Sequence, residues 1–214
     1  MMIDNYKDLT LEKYIQLREI DTTELEPIDI QVQMLSILSD LPEDEVLEKS
    51  LTDYNLMVAK MDFLTDEPTP IKNIPSTLTI GKNKYKVLKD AREMTAGQFI
   101  DYQAYIKDAD DKKLPLLLTC FIIPQGHKYG EGYEIETVMA DINKLPIETV
   151  LGLAAFFLRQ SQKLIDSTLV CLDWTIRRME KKEKRTEIRE KLTEARKKLH
   201  TLRDLVNDGD GLVW

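Results

Sequence analysis

The sequence predicts a mainly α-helical protein: two divergent four-helix units joined by a Pro-rich linker and a β-hairpin, with a long C-terminal helix. Three observations point there. Only 8 glycines and 8 prolines punctuate 214 residues, against 43% apolar and 32% charged side chains, a balance that favours helices over many short strands. LTDYNLMVAKMDFL at 51–64 and LPIETVLGLAAFFL at 145–158 both open on leucine and close on Phe-Leu, at a shift of 94. Finally, Pro68, Pro70 and Pro75 crowd into TDEPTPIKNIPS, the clearest break in the chain.

The elements follow in order. Thr10 is a good N-cap, and Leu11, Tyr14, Ile15 and Leu17 predict a short amphipathic helix ending near Ile20. A second helix follows Pro27, with Ile28, Val32, Leu35, Ile37 and Leu38 on its apolar side. Pro42 is read as the first residue of a short helix, with Glu43, Asp44 and Glu45 where the helix dipole favours negative charge. Ser50 caps a fourth helix, with Asp53 three residues on and Phe63 and Leu64 near its end. Beyond the prolines, Leu78, Ile80, Tyr85 and Val87 alternate with polar residues about Gly81 to Asn83, the pattern of a hairpin.

The first pattern then returns. MTAGQFIDY at 94–102 lies over LTLEKYIQL at 9–17 at a shift of 85, with Thr95 and Gln98 spaced for a capping box. LPLLLTCFII at 114–123 takes the place of the second helix, Ile122-Ile123 lying over Ile37-Leu38. Glu134 to Leu145 stands for the short acidic helix, and Pro146 opens the long one. The shift grows because PQGHKYGEGY at 124–133 adds a Gly-rich loop. These correspondences predict a duplication with the segments 1–65, 66–90, 91–180 and 181–214: first helical unit, linker and hairpin, second helical unit, and basic extension. Each unit alone is too small to bury a large core, so the two are expected to pack together.

The second copy's last helix does not stop. Its apolar pattern runs through Leu164, Ile165, Leu169, Cys171, Leu172, Ile176 and Met179. Past a charged stretch, Ile188, Leu192, Ala195, Leu199, Leu202 and Val206 recur at spacings of 4, 3, 4, 3 and 4, an a/d seam. Such a seam can fold back on the body, pair with a second copy or hold a partner's helix. We take these six residues as the candidate partner-binding site.

Chemistry-bearing motifs are scarce. His127 sits in a glycine-rich loop and His200 on a basic helix face, neither with companions at metal-ligand spacing. GEG at 130–132 is not a dinucleotide fingerprint, and DADDKK at 108–113 lacks the glycine and glutamate of a calcium loop. Cys120 and Cys171 read as two buried thiols. No catalytic residue, metal or cofactor is assigned, and the chain is read as non-enzymatic. MMIDNYKDLT has neither a basic n-region nor an apolar h-region, and the most apolar run, Val150 to Leu158, is far short of the ~20 residues that span a bilayer.

The net charge of -8 argues against general nucleic-acid affinity. It is uneven: 11 basic and 5 acidic side chains between Arg177 and Lys198 give +6 there, leaving -14 elsewhere. Glu180/Lys184, Glu187/Lys191 and Glu194/Lys198 are spaced i, i+4 as on a solvated helix, and no aromatic residue is interleaved for base stacking. A protein partner is favoured, with nucleic-acid contact through 177–198 the alternative.

LTLEKYIQLREI, MLSILSDLPEDEV, SLTDYNLMVAKMDFL, GKNKYKV, MTAGQFIDY and the late FFL together resemble a group of small proteins of tailed bacteriophages, especially those of gut Bacteroidota including the crAss-like group. The likeness spans about residues 9–165 and leaves out the basic extension. The better-understood members are tail assembly chaperones; others are virion or morphogenesis proteins. The resemblance implies a non-enzymatic binder of a helical partner such as a tape measure protein, acting in the host cytoplasm during assembly. A structural virion component near the portal, tail or ejected cargo, with self-association, is the alternative. The family carries no catalytic residues to transfer.

Overall fold

The computed structural model describes residues 2–23, 25–107, 111–180 and 186–208. Side-chain surroundings are described up to Ile176, apart from Asp111, and again from Glu190 to Asp204. Four helices precede the linker and hairpin: α1 (Leu11–Arg18), α2 (Pro27–Ser39), α3 (Glu43–Leu47) and α4 (Leu51–Ala59). Four more follow: α5 (Ala96–Ile106), α6 (Leu114–Thr119), α7 (Ile135–Ile142) and the 34-residue α8 (Ile147–Glu180). A further helix, α9 (Thr186–Asp208), ends the described chain.

Local chemistry explains the helix starts. The Thr10 hydroxyl accepts from the Lys13 amide, and the Ser50 hydroxyl from the Asp53 amide. Thr95 and Gln98 form a reciprocal capping box, and the Gln98 amide group also reaches the Cys120 carbonyl at 3.1 Å, so one side chain both caps α5 and ties it to the end of α6. Pro42 is the N-cap of α3 rather than its first helical residue. The fourth helix loosens after Ala59 into tighter 3₁₀ turns over Lys60–Thr65.

The hairpin pairs β1 (Thr77–Ile80) with β2 (Asn83–Val87), Ile80 opposite Asn83. Gly81 at φ 58° supplies the positive dihedral that the first position of a two-residue hairpin turn demands. Leu78, Ile80, Tyr85 and Val87 point inward, as their alternation predicts. The sequence reading needs one correction here. LPLLLTCFII is not one helix, because α6 ends at Thr119 and Ile122–Pro124 form β3, antiparallel to β2. The backbone of β2 needs partners on its second side, and the Ile-Ile pair suits a strand. Flanking bonds from the Leu88 amide to the Phe121 carbonyl and from the Gln125 amide to the Lys84 carbonyl extend that pairing.

One core joins the parts. Leu9, Leu11, Tyr14 and Leu38 from the first unit share it with Tyr85 of the hairpin, with Tyr102, Leu118, Phe121 and Phe157 of the second unit, and with Leu202 of α9. Phe121 and Phe157 stack at 4.1 Å between centroids, and Tyr102 meets Phe121 edge-on. A smaller cluster under α2, α3 and α4 holds Val32, Leu35 and Val46.

The two units are also joined by backbone. The Leu11 amide donates to the Leu145 carbonyl, the Glu12 amide to the Asn143 carbonyl, and the Ile147 amide to the Leu9 carbonyl, at 2.8–3.0 Å. All three donors are first-turn amides, which have no acceptor inside their own helix. Each unit thus completes a helix start in the other.

The Pro-rich linker is packed rather than free. The Ile71 amide donates to the Glu148 carbonyl, and Lys89 donates to the Ile74 carbonyl. Gly152 of α8 is the reason Ile71 fits: a Cβ there would lie 2.5 Å from Ile71 Cγ1 and 2.6 Å from its carbonyl oxygen. Gly152→Ala should therefore destabilise the protein by about 1–3 kcal/mol in urea unfolding, despite alanine's higher helix propensity. The same change at Gly97 of α5 meets only Thr95 Oγ1 at 3.9 Å and should be neutral or stabilising by up to about 1 kcal/mol.

Candidate partner-binding site

The first part of α8 is central to the fold: Ile147, Val150, Leu151, Leu153, Ala154 and Phe157 are all buried. Further along, among the described side chains, only Ser161, Ile165, Leu169 and Ile176 are buried, and they share one face at helical spacing. α9 packs along that face of α8 and also meets α5. Arg196 Nε is 2.6 Å from Asp173 Oδ1, and Leu202, six residues on, enters the core that holds Ile165 and Leu169. The two helices therefore form an antiparallel arm whose inner side is apolar and rooted in the body.

This placement corrects the partner-binding assignment at Leu199 and Leu202. Leu202 is 5% exposed within the chain's own core, and Leu199 packs against that core. Leu192 and Ala195 are half-buried on the same face of α9. Of the three fates open to an a/d seam, Leu199 and Leu202 follow the fold back on the body. The side chains of Ile188 and Val206, the link 181–185, residues 108–110 of DADDKK and the end from 209 lie outside the described residues.

What the arm leaves exposed is its outer side. Val170 and Trp174 of α8 are 70% and 60% exposed and stand four residues apart, opposite the Ile165–Leu169–Ile176 face. Sequence reading passed over them because they stand beside core-facing residues in one long apolar run. A usable signal was present: Val170 and Trp174 fall out of step with the spacing of Ile165, Leu169, Leu172 and Ile176. Cys171, expected to be buried, is exposed on the same helix, whereas Cys120 is buried; both are free thiols.

The groove beside the sheet encloses about 600 Å³, between Lys82, Lys84, Tyr85, Gln125, His127 and Tyr133. His127 meets Tyr133 edge-on at 5.9 Å on the exposed loop, so it lines this groove from the solvent side. At the groove's edge, Asp141 accepts from Tyr85 Oη (2.6 Å), Asn83 Nδ2 (2.7 Å) and Lys144 Nζ (2.8 Å). Burial pushes the carboxyl up, but Lys144, Tyr85 and Asn83 outweigh it and hold the pKa at about 2. Burial, and then donation to Asp141, pushes Tyr85 up to about 12. Burial likewise pushes the Cys120 thiol up to about 12, which leaves it un-ionised at neutral pH and a poor nucleophile. Asp141 is thus a saturated structural acceptor that staples α7 to the hairpin. Among the described residues, no group of three or more His, Cys, Asp or Glu side chains is placed to hold a metal ion. Among those residues, too, no helix is long and apolar enough to cross a membrane.

No protein-family model matches the chain, and no curated protein or solved structure matches it significantly.

Two predictions follow from this geometry. Leu202→Ala should cost about 2–5 kcal/mol in denaturant unfolding, as a core truncation does, and Leu192→Ala clearly less. Asp141→Asn should cost about 1–3 kcal/mol at neutral pH. The folded pKa of Asp141 lies below the unfolded value of about 3.9, so its stabilisation is complete above that pH and is lost as pH falls towards about 2. Urea titrations of both proteins should therefore converge at the acid end.

Proposed function

We propose that this chain is a non-enzymatic bacteriophage morphogenesis protein, a tail assembly chaperone-like binder of a helical partner such as a tape measure protein. The sequence resemblance over residues 9–165 supplies the family context. The observation that carries the binding is the exposed pair Val170 and Trp174 on the outer side of a two-helix arm. An amphipathic helix laid along that side would make a third member, its apolar residues at i and i+3 or i+4 covering the pair. Burying two such side chains stabilises by about 1.5–3 kcal/mol each, and tryptophan is the residue type that most often anchors an interface. That scale suits a chaperone, which has to hold its client and then release it. The basic stretch from Arg177 to Lys198, at +6, favours an acidic flank on the client.

One observation favours a structural virion component instead. With Leu199 and Leu202 packed on the body, the arm is self-supporting and suited to a permanent assembly. Mass spectrometry of purified particles separates the two: the chaperone is present in infected-cell lysate and absent from the virion, whereas the structural component is found in both.

The binding surface has its own test. Val170→Asp with Trp174→Asp should leave the thermal unfolding midpoint within a few degrees and abolish capture of the co-expressed tape measure protein. Undiminished capture by the folded double variant would remove the arm's outer side as the interface.

A further inference from the structure

The register of the hairpin decides which backbone groups of β1 stay open. Ile80 faces Asn83 across the two-residue turn, and the Val87 amide donates to the Ser76 carbonyl at 3.0 Å. Alternation along an antiparallel pair then points the amides and carbonyls of Leu78 and Ile80 at β2, and those of Thr77 and Thr79 away from it. β3 lies on the far side of β2, so β1 is an edge strand of the sheet. Among the described residues nothing bonds to the backbone of Thr77 or Thr79, and no described helix packs closely along β1. Both threonines are exposed. Such an edge presents donors and acceptors in alternation, the pattern that another extended chain satisfies.

The exposed face of the hairpin is basic. Residues 71–89 hold five lysines and no acidic residue, a net +5 in a chain of net -8. Lys84 lies opposite Thr79 and Lys86 opposite Thr77, so these four side chains share the outer face, while Leu78, Ile80, Tyr85 and Val87 turn to the core. Lys72, Lys82, Lys84 and Lys86 are exposed and have no ion-pair partner among the described residues. A strand added to β1 would lie about 4.8 Å from it and about 9.6 Å from β2, a gap that a lysine and a glutamate span together over the short threonines.

We propose that the outer edge of β1 receives an extended acidic peptide segment of a partner protein, added as a fourth strand antiparallel to β1 like its neighbours in the sheet. Backbone bonds to Thr77 and Thr79 hold the segment, and carboxylates at alternate positions meet Lys84 and Lys86. Charge identifies the occupant. A second copy pairing edge to edge would bring two lysine-bearing hairpins together, and like charge disfavours that. Nucleic acid would satisfy the lysines, but its phosphates accept and do not donate, so the Thr77 and Thr79 carbonyls would stay unpaired. The contact uses neither Val170 nor Trp174, so it stands or falls independently of the client-binding proposal.

The experiment titrates the full chain with the synthetic peptide acetyl-TEVEVEVT-amide and follows backbone amides by NMR. At about 0.05 M salt the Thr77 and Thr79 amides should shift, and at saturation they should exchange about tenfold or more slowly than in the free protein. Binding should weaken about tenfold or more in the double variant Lys84→Gln, Lys86→Gln, and also on raising the salt to about 0.5 M. Both lysines are exposed, so the variant keeps its fold. The same peptide N-methylated at its glutamates keeps its charge but loses the bonds to β1, and should not bind. Absence of binding at about 1 mM peptide would overturn the proposal, as would unchanged exchange at Thr77 and Thr79 or equal binding of the N-methylated peptide. Protection of both amides in the free protein, with a dimer in light scattering, would assign the edge to a second copy instead. Binding of a thymidine oligonucleotide but not of the peptide would assign the basic face to nucleic acid.

Discussion

The structure depends on a reciprocal backbone latch between residues 9–12 and 143–147. A helix leaves its first amides without internal acceptors, and burying them unpaired would cost several kcal/mol. Here Leu11 and Glu12 at the start of α1 are satisfied by Leu145 and Asn143, and Ile147 at the start of α8 by Leu9. Leu9, Leu11, Leu145 and Ile147 are all buried, so water cannot stand in for the lost partner. Neither α1 nor α8 completes its start without the other unit, and that requirement turns two small bundles into one body. The linker reinforces the same joint, with Ile71 seated on α8 where Gly152 leaves room.

Once the joint is made, α8 has two different lives. Its first four turns lie in the middle of the core, stacked through Phe157 on Phe121. The later turns leave the body and would be a lone amphipathic helix, which is marginal in water. α9 meets that need by returning along the apolar face, tied by the Arg196–Asp173 ion pair and anchored at Leu202. The arm thereby holds a fixed direction, and its outer residues are presented rather than hidden. Val170 and Trp174 acquire their interest from this arrangement alone.

Much of the fold was legible because it is written locally. Thr10, Ser50 and the Thr95–Gln98 pair each cap a helix through atoms three residues apart, and a sequence shows such spacing directly. The hairpin was equally plain, since alternation about Gly81 is local too. Ile122 and Ile123 were misread because a short apolar run cannot tell strand from helix; the edge of β2, thirty-odd residues upstream, decides. The seam shows the same limit. Periodicity announces that Leu192, Leu199 and Leu202 share a face, but the identity of the covering surface depends on how α9 packs against α8. Site residues were harder still, because exposure of Val170 and Trp174 is a property of the packed whole.

Native-state hydrogen exchange at Leu11, Glu12 and Ile147 tests the latch most directly. If the two units are one cooperative body, these three amides exchange only through global unfolding, with the free energy that denaturant titration gives for the whole chain. Exchange at Leu11 and Glu12 through a much cheaper opening, with α1 to α4 detaching while α5 to α8 stay protected, would contradict it.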